Sequence, residues 1–146
     1  MESVAIKISS LKVDPRRLKI EQMILIMLRG RRHIPTMIGC GTNRGNPYIV
    51  MQILGKNLSE LRKRVPGQKL SSVSVFRVSS QIVLAIGYLH EIGFLHRDIK
   101  PANFCIGRGK FDRRTIYLVD FGMARMFTLY DGSYRRARKN VGFRGI

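Results

Sequence analysis

Apolar residues recur at spacings of three and four over residues 71–91, a period that predicts a long helix with one buried face. The positions that define this face are Val75, Phe76, Val78, Ile82, Val83, Ala85, Ile86 and Leu89. A second helix is predicted over 15–28, with Asp14 as its N-cap and Pro15 at its first position. One face of that helix carries Leu18, Glu21, Leu25 and Leu28.

Short apolar runs predict five strands around these helices. Residues 4–8 place Val4, Ile6 and Ile8 on one face and Ala5 and Lys7 on the other, as in a half-buried strand. The other strands are predicted at 36–41, 48–54, 103–106 and 116–119, the last two joined by a basic turn at 108–114. A short helix is predicted at 58–64, capped by Asn57. The fold class is therefore α+β.

Two short polar motifs lie beside these apolar segments. His-Arg-Asp-Ile-Lys-Pro-Ala-Asn occupies 96–103, after the long helix, and Asp-Phe-Gly occupies 120–122, after the last predicted strand. Either His-Arg-Asp or Asp-Phe-Gly alone could be a chance tripeptide in a core element, but the order and context of the two are specific. The pair resembles the catalytic loop and the metal-binding turn of protein kinases.

Phosphoryl transfer explains why these residue types would occur together. The reaction needs a carboxylate to accept a hydrogen bond from the attacking hydroxyl, which suits Asp98. It also needs oxygen ligands that hold Mg²⁺ on the phosphates, which suits Asn103 and Asp120, and Lys100 is placed to meet the transferred phosphate. We therefore expect Asp98, Lys100 and Asn103 to be catalytic, Asn103 and Asp120 to bind metal, and ATP and Mg²⁺ to be the cofactors.

A lysine on the inner face of the first strand needs an anionic partner, and Lys7 is in that position. On the apolar face of helix 15–28, Glu21 is the only carboxylate that can turn toward it. An ordinary solvated charge is the alternative for Glu21. In protein kinases such a lysine contacts the nucleotide phosphates and pairs with a glutamate on the next helix, which implies that Lys7, Glu21 and Asp120 bind the cofactor.

The order from Val-Ala-Ile-Lys at 4–7 to Asp-Phe-Gly at 120–122 resembles the eukaryotic protein kinase family, and Lys100 resembles its serine/threonine class. A closer resemblance is to the casein kinase I superfamily and, within it, to the tau-tubulin kinase branch. The stretches that carry it are FLHRDIKPANF at 94–104, IGCG at 38–41, VMQ at 50–52 and VGFRG at 141–145. The resemblance implies a bilobal fold and transfer of the ATP γ-phosphate to serine or threonine of proteins, with acidic or already phosphorylated substrates as candidates.

The resemblance also implies a hinge between the two lobes, close to residues 52–54. In a kinase, Gln52, Ile53 and Leu54 would offer backbone groups to adenine, and Met51 would limit the depth of the pocket behind it. Simple filling of the core is the alternative for Met51, and it agrees with the same position.

Measured against the family pattern, the chain is expected to be a partial kinase domain. A glycine-rich phosphate loop would precede Val4 by two strands, and the helical lobe would continue beyond Ile146. We therefore predict a remnant of the N-lobe with the hinge at 1–54, and the first part of the C-lobe, truncated in the activation segment, at 55–146. A catalytically inactive truncated kinase that acts as a basic binding module is the alternative to an active enzyme.

Composition adds a strong positive charge, with 27 Lys and Arg against 9 Asp and Glu and a formal net charge of +18. Such a field attracts acidic or phosphorylated partners. Basic residues near the C-terminus form either an anion trap beside the active site or a solvated charge run, and they are Arg125, Arg135, Arg136, Arg138, Lys139 and Arg144. No known nucleic-acid-binding motif is recognised in the sequence, so specific nucleic-acid binding is not expected.

A few residues indicate the environment of the protein. Cys40 and Cys105 lack metal or disulfide spacing and are predicted to be buried thiols in a reducing compartment. The apolar run at 23–28 is too short to span a bilayer. We therefore expect an intracellular protein of the cytoplasm or nucleus without a membrane span, with His33 on its surface. The sequence leaves the oligomeric state open.

Overall fold

The computed structural model describes residues 3–9, 14, 16–128 and 132–136. In chain order, the strands are β1 (Val4–Ile8), β2 (Met37–Asn43), β3 (Asn46–Gln52), β4 (Leu54–Asn57), β5 (Phe94–Leu95), β6 (Phe104–Gly107), β7 (Ile116–Leu118) and β8 (Arg125–Met126). The helices are α1 (Arg16–Met27), α2 (Leu58–Arg64) and α3 (Ser72–Glu91). Three 3₁₀ turns cover Pro66–Gln68, Pro101–Asn103 and Phe121–Met123. The predicted mixture of helices and strands is confirmed.

The first sheet is antiparallel and has the order β1-β3-β2. Its β2–β3 turn is tight, with positive φ at Arg44 and Gly45. In β1, Ala5 and Lys7 are partly covered while the three apolar residues between and beside them are exposed. The predicted alternation is therefore correct, and it places Lys7 on the inner face of the sheet.

Helix α1 packs its apolar face against this sheet. Leu18, Leu25 and Leu28 are buried, and Glu21 is buried among them at 2% exposure. The carboxylate of Asp14 accepts a hydrogen bond from the backbone N–H of Arg16 at 3.0 Å, as expected of a residue that caps a helix. The predicted first position, Pro15, lies outside the described residues.

The chain passes from the first sheet to a second sheet at Ile53. This second sheet is antiparallel with the order β4-β6-β7, and β4 enters it with Leu54 paired to Gly107. The single strand predicted at 48–54 is therefore wrong, because one continuous apolar run serves two different sheets. A third, two-stranded sheet pairs β5 with β8.

Helix α2 has the predicted bounds, and its predicted cap is present. The Asn57 side chain accepts a hydrogen bond from the Glu60 N–H at 2.9 Å, and the Glu60 carboxylate accepts one from the Asn57 N–H at 3.2 Å. This reciprocal capping box fixes the start of the helix locally.

Helix α3 is confirmed, but its buried face is narrower than predicted. Ala85 and Leu89 are fully buried, whereas Phe76 is 78% exposed and Val83 is 68% exposed. Helix α3 contacts β5 and β7, and its two buried residues both lie in its C-terminal half. By length and composition α3 could cross a membrane, although a helix that packs into a protein core meets the same test.

Two polar residues lie in places that the sequence did not predict. His33 is 2% exposed, and its Nδ1 lies 2.9 Å from the Ile116 carbonyl, so the predicted surface position is wrong. Its own carbonyl accepts a hydrogen bond from the Leu118 N–H at 3.0 Å, which ties the loop after α1 to β7. Cys40, predicted to be buried, is exposed because β2 turns its side chain outward, whereas Cys105 is half-buried and burial raises its pKa.

Candidate active site

The centre of the candidate site is the ammonium group of Lys7. Strand β1 directs it toward α1, where its Nζ lies 2.5 Å from Glu21 Oε2, and it also lies 2.8 Å from Asp120 Oδ1. Burial works against the charge of Lys7, but the fields of Glu21 and Asp120 together raise its pKa. The predicted contact between Lys7 and Glu21 is present, and Asp120 joins it.

Glu21 is held in place from two sides. Its carboxylate contacts Lys7 and accepts a hydrogen bond from the Phe121 backbone N–H. Burial raises the pKa of Glu21 because it disfavours the carboxylate charge more than Lys7 favours it. Helix α1 is thereby coupled to the turn that carries Asp120.

The catalytic-loop residues form a second polar cluster. Lys100 Nζ lies 2.7 Å from Asp98 Oδ2, and Asn103 Nδ2 donates to the same oxygen at 2.9 Å and to the Asp98 carbonyl at 2.8 Å. The hydrogen bond from Lys100, followed by that from Asn103, holds the pKa of Asp98 below its usual value. Asp98 is therefore ionised at neutral pH and can accept a proton or a hydrogen bond.

Buried His96 links the two motifs. The Asp98 N–H donates to His96 Nδ1 at 3.3 Å, so the imidazole proton resides on Nε2 and is donated to the Val119 carbonyl at 3.1 Å. Burial lowers the pKa of His96, which keeps this neutral form. The ring also packs edge-on against Phe121, with centroids 5.4 Å apart. His96 thus links Val119, which precedes Asp120, to Asp98, whose carboxylate is the candidate base.

One residue in each of the two motifs has an unusual backbone conformation. Arg97 and Asp120 adopt positive φ values of 65° and 66°. Non-glycine residues in this region cost energy and persist where the surrounding structure imposes them. For Arg97, the side-chain Nε donates to the Met123 carbonyl at 2.8 Å, which holds the loop against the Phe121–Met123 turn.

The oxygen donors fit a magnesium ion that is bound together with phosphates. Asn103 uses its Nδ2 to hold Asp98, which leaves Oδ1 as its ligating atom, and the Val119 N–H donates to the Asn103 carbonyl at 3.0 Å. Among the described residues, no group of three or more His, Cys, Asp or Glu side chains could hold a metal. Mg²⁺ in nucleotide sites needs one or two protein oxygens besides the phosphates, and Asn103 and Asp120 are the residues that would supply them.

The predicted hinge residues lie where the chain changes sheets. Met51 is half-buried and packs against the main core, which agrees with both of its predicted roles. The Gln52 N–H donates to the Thr36 carbonyl at 2.8 Å, so this backbone donor is already used within the protein. Of the backbone groups predicted for adenine at Gln52, only the carbonyl is compatible with this hydrogen bond.

A cavity of about 270 Å³ opens beside Lys7. Its lining includes Lys7, Glu21 and Asp120, together with Arg17 of α1. Within the described part of the chain, Asp98, Lys100 and the hinge residues do not contribute to this lining. The structure therefore brings the predicted site residues together in three groups: the Lys7 cluster, the Asp98 cluster and the hinge.

An arginine-rich cavity of about 520 Å³ adjoins the Phe121–Met123 turn. The arginines that line it are Arg16, Arg17, Arg97, Arg125 and Arg135. Such a set of guanidinium groups favours an anion. Arg136 is exposed and does not line this cavity. The remaining predicted basic residues of this region, Arg138, Lys139 and Arg144, lie outside the described residues.

Sequence reasoning missed several residues of the site. It assigned no role to His96, Arg97 or Phe121, although all three belong to the two motifs. It also missed the contact between the Gln52 side chain and Asp112, because that contact joins residues 60 positions apart and follows no local pattern.

The fold and the two motifs define a protein kinase domain, and comparison with known proteins agrees. The chain matches the family model of the protein kinase domain over residues 1–141. It is 39% identical over 144 residues to a probable serine/threonine-protein kinase of Dictyostelium discoideum, covering 99% of this chain and 29% of that protein. It is 40% identical over 134 residues to a putative casein kinase I of Caenorhabditis elegans, covering 92% of this chain and 39% of that protein. This chain belongs to the protein kinase family.

A putative serine/threonine-protein kinase of Caenorhabditis elegans is also similar, with 38% identity over 126 residues and coverage of 83% of this chain and 33% of that protein. The chain spans 29% to 39% of the length of these curated relatives. The expected protein kinase class, with serine/threonine kinases and a casein kinase I among its relatives, is confirmed. The tau-tubulin branch stays a prediction.

Proposed function

We propose that this chain is the catalytic core of a bilobal serine/threonine protein kinase of the casein kinase I type, in the tau-tubulin branch. It would transfer the γ-phosphate of ATP to serine or threonine of a protein. The observation that carries the proposal is the double contact of Lys7 Nζ, at 2.5 Å to Glu21 and 2.8 Å to Asp120. Protein kinases require a lysine that pairs with a helix glutamate beside the metal-binding aspartate, and this double contact supports that arrangement here.

In this proposal the reaction is an in-line displacement at the γ-phosphorus. The substrate hydroxyl oxygen forms the new P–O bond, the bond to the β–γ bridging oxygen breaks, and ADP leaves with that electron pair. Asp98 orients the hydroxyl and accepts its proton as the new P–O bond forms, and Lys100 neutralises the transferred group. Magnesium, when bound at Asn103 and Asp120, neutralises charge on the phosphates. Lys7 holds the remaining phosphates, and Glu21 orients Lys7.

Adenine would lie against the segment that contains Gln52, Ile53 and Leu54. Since the Gln52 N–H is used by Thr36, the groups proposed to bind adenine are the Gln52 carbonyl and the backbone of Ile53 and Leu54. Met51 would limit the pocket behind them, in accord with its packing against the core.

We propose acidic or already phosphorylated proteins as substrates. The net charge of +18 and the arginine-lined cavity beside the Phe121–Met123 turn support this class. An intracellular location, in the cytoplasm or nucleus, is also proposed. Its support is that neither Cys40 nor Cys105 is paired in a disulfide.

Phosphoryl transfer from labelled ATP to an acidic serine peptide tests the proposal. We expect transfer by the wild-type chain and a loss of about 10²–10⁴-fold in Asp98→Asn, with ADP affinity changed less than about twofold. Phe111→Ala is the matched control, since Phe111 is 97% exposed. Equal rates of phosphoryl transfer by wild-type and Asp98→Asn protein would contradict the assignment of Asp98.

A second candidate is a catalytically inactive kinase that acts as a basic binding module, favoured by the net charge of +18. Nucleotide binding without any transfer, combined with salt-sensitive binding of acidic peptides, would support it. Specific nucleic-acid binding is not proposed, and binding to oligonucleotides that persists at about 200 mM salt would reverse that judgement.

A further inference from the structure

The β6–β7 turn sends one carboxylate to the junction between the two sheets. Asp112 Oδ2 accepts a hydrogen bond from Gln52 Nε2 at 3.0 Å and one from the Tyr117 hydroxyl at 3.3 Å. Tyr117 is buried, at 8% exposure, so this contact is sheltered from water. The other oxygen, Asp112 Oδ1, is buried without a hydrogen-bond partner among the described residues. A buried acceptor without a hydrogen bond is unfavourable, so the position of the Asp112 carboxylate needs an explanation. The hydrogen bond from Gln52 is the candidate explanation.

The Gln52 side chain is held at both ends of its amide. Its Nε2 donates to Asp112, and its Oε1 accepts a hydrogen bond from the Thr36 N–H at 3.3 Å. The Gln52 N–H in turn donates to the Thr36 carbonyl at 2.8 Å. Gln52 is the last residue of β3, and the chain leaves the first sheet at the next residue, Ile53. The amide therefore connects the end of the first sheet to a turn of the second sheet.

Glycine at position 107 allows Asp112 to lie close to the backbone of β6. A Cβ at Gly107 would lie 2.3 Å from Asp112 Cγ and 2.3 Å from its backbone carbonyl oxygen, so only glycine permits the approach. Gly107 pairs with Leu54 across β4 and β6, which places the carboxylate beside the strand that follows the hinge. The turn is fixed by the Thr115 N–H, which donates to the Asp112 carbonyl at 2.7 Å.

We propose that Asp112 is a positioning residue for the adenine-binding segment, acting through the Gln52 side chain. This inference rests on the proposed function, in which residues 52–54 bind adenine. By holding the Gln52 amide, Asp112 orders that segment before the nucleotide arrives, so that binding does not have to supply the ordering free energy. Asp112 lies outside both sequence motifs, and it acts from the β6–β7 turn on the opposite sheet.

Hydrogen–deuterium exchange of the backbone amides in residues 50–58, without nucleotide, tests the inference directly. We expect Asp112→Ala to raise exchange there by about fivefold or more, the effect of losing one hydrogen bond to a charged group. Exchange in α3 should stay unchanged, which separates local loosening from global unfolding. The control is Phe111→Ala, one residue away in the same turn and 97% exposed.

Exchanging the acid and the amide between positions 52 and 112 tests the inference even if Asp112→Ala unfolds. Gln52→Glu places a second carboxylate 3.0 Å from Asp112 and should loosen residues 50–58. Adding Asp112→Asn restores one donor and one acceptor in opposite order, so the double variant should return exchange close to the wild-type level. A purely structural loss of Gln52 or Asp112 would not be rescued in this way.

Nucleotide affinity provides the second readout. ADP should bind about fivefold more weakly to Asp112→Ala and Gln52→Glu, and with near wild-type affinity to the double variant. If wild-type protein binds no ADP, the proposed function fails while amide exchange still decides the role of Asp112. Exchange that is unchanged in Asp112→Ala, or a double variant as loose as Gln52→Glu, would overturn the inference.

Discussion

Lys7 Nζ lies 2.8 Å from Asp120 Oδ1, although 113 positions separate the two residues in the chain. Helix α1 contacts both strand β1 and the turn after β7, since Glu21 contacts Lys7 and accepts a hydrogen bond from the Phe121 N–H. The contact joins the first sheet to the turn that follows the second, at the point where the nucleotide phosphates are proposed to bind.

Replacement of Lys7 by Met should destabilise the fold as well as weaken nucleotide binding. Glu21 would remain 2% exposed without its cation, whereas the Lys7 side chain is 40% exposed and partly screened by water. We expect a loss of about 1–2 kcal/mol in the free energy of unfolding. Urea denaturation of Lys7→Met and of Lys7→Met/Glu21→Gln measures it, and the double variant should recover most of the loss. Equal stability of wild-type and Lys7→Met protein would show that the buried pair contributes nothing.

His96 should make stability depend on pH in the mildly acidic range. Burial lowers its folded-state pKa below the ordinary 6.5, so the unfolded chain takes up the proton first as pH falls. The contribution of His96 is fully present above about pH 6.5 and is lost as pH falls below it. Urea denaturation at pH 7, 6 and 5 should show a steeper loss for wild-type protein than for His96→Gln. Parallel curves for the two proteins would mean that His96 is not held neutral.

Loss of the α2 cap should have a measurable local cost. Asn57→Ala removes the acceptor for the Glu60 N–H and disrupts the capping box. We expect a decrease of about 1 kcal/mol in the free energy of unfolding. The exposed neighbour Lys56 provides the control substitution Lys56→Ala, which should change the free energy of unfolding by less than about 0.5 kcal/mol. Thermal denaturation compares the two, and equal melting temperatures would contradict the capping role.

Features that depend on local chemistry were predicted best from the sequence. The start of α2 follows from Asn57, which was predicted to cap it, because an N-cap satisfies backbone groups within the first turn. The contact between Lys7 and Glu21 was also predictable, because strand alternation and helix periodicity each fix which face a charge occupies.

Features that depend on distant partners were not predictable. The run 48–54 reads as one strand, and only the pairing of Leu54 with Gly107 shows that it is divided between two sheets. The contacts of His33 with Ile116 and of Gln52 with Asp112 join residues 83 and 60 positions apart. The exposure of Phe76 likewise depends on what packs against α3, which its own periodicity does not encode.

The most direct test of the account is the magnesium dependence of nucleotide binding at the Lys7–Asp120 contact. Isothermal titration of wild-type chain with ADP should show binding that strengthens at least about tenfold when Mg²⁺ is added, and Asp120→Asn should lose most of that increase. The Mg²⁺-free affinity of Asp120→Asn should stay within about threefold of wild type, since Lys7 retains Glu21. Binding that ignores Mg²⁺, or an equal Mg²⁺ effect in wild-type and Asp120→Asn protein, would contradict the assignment of this site.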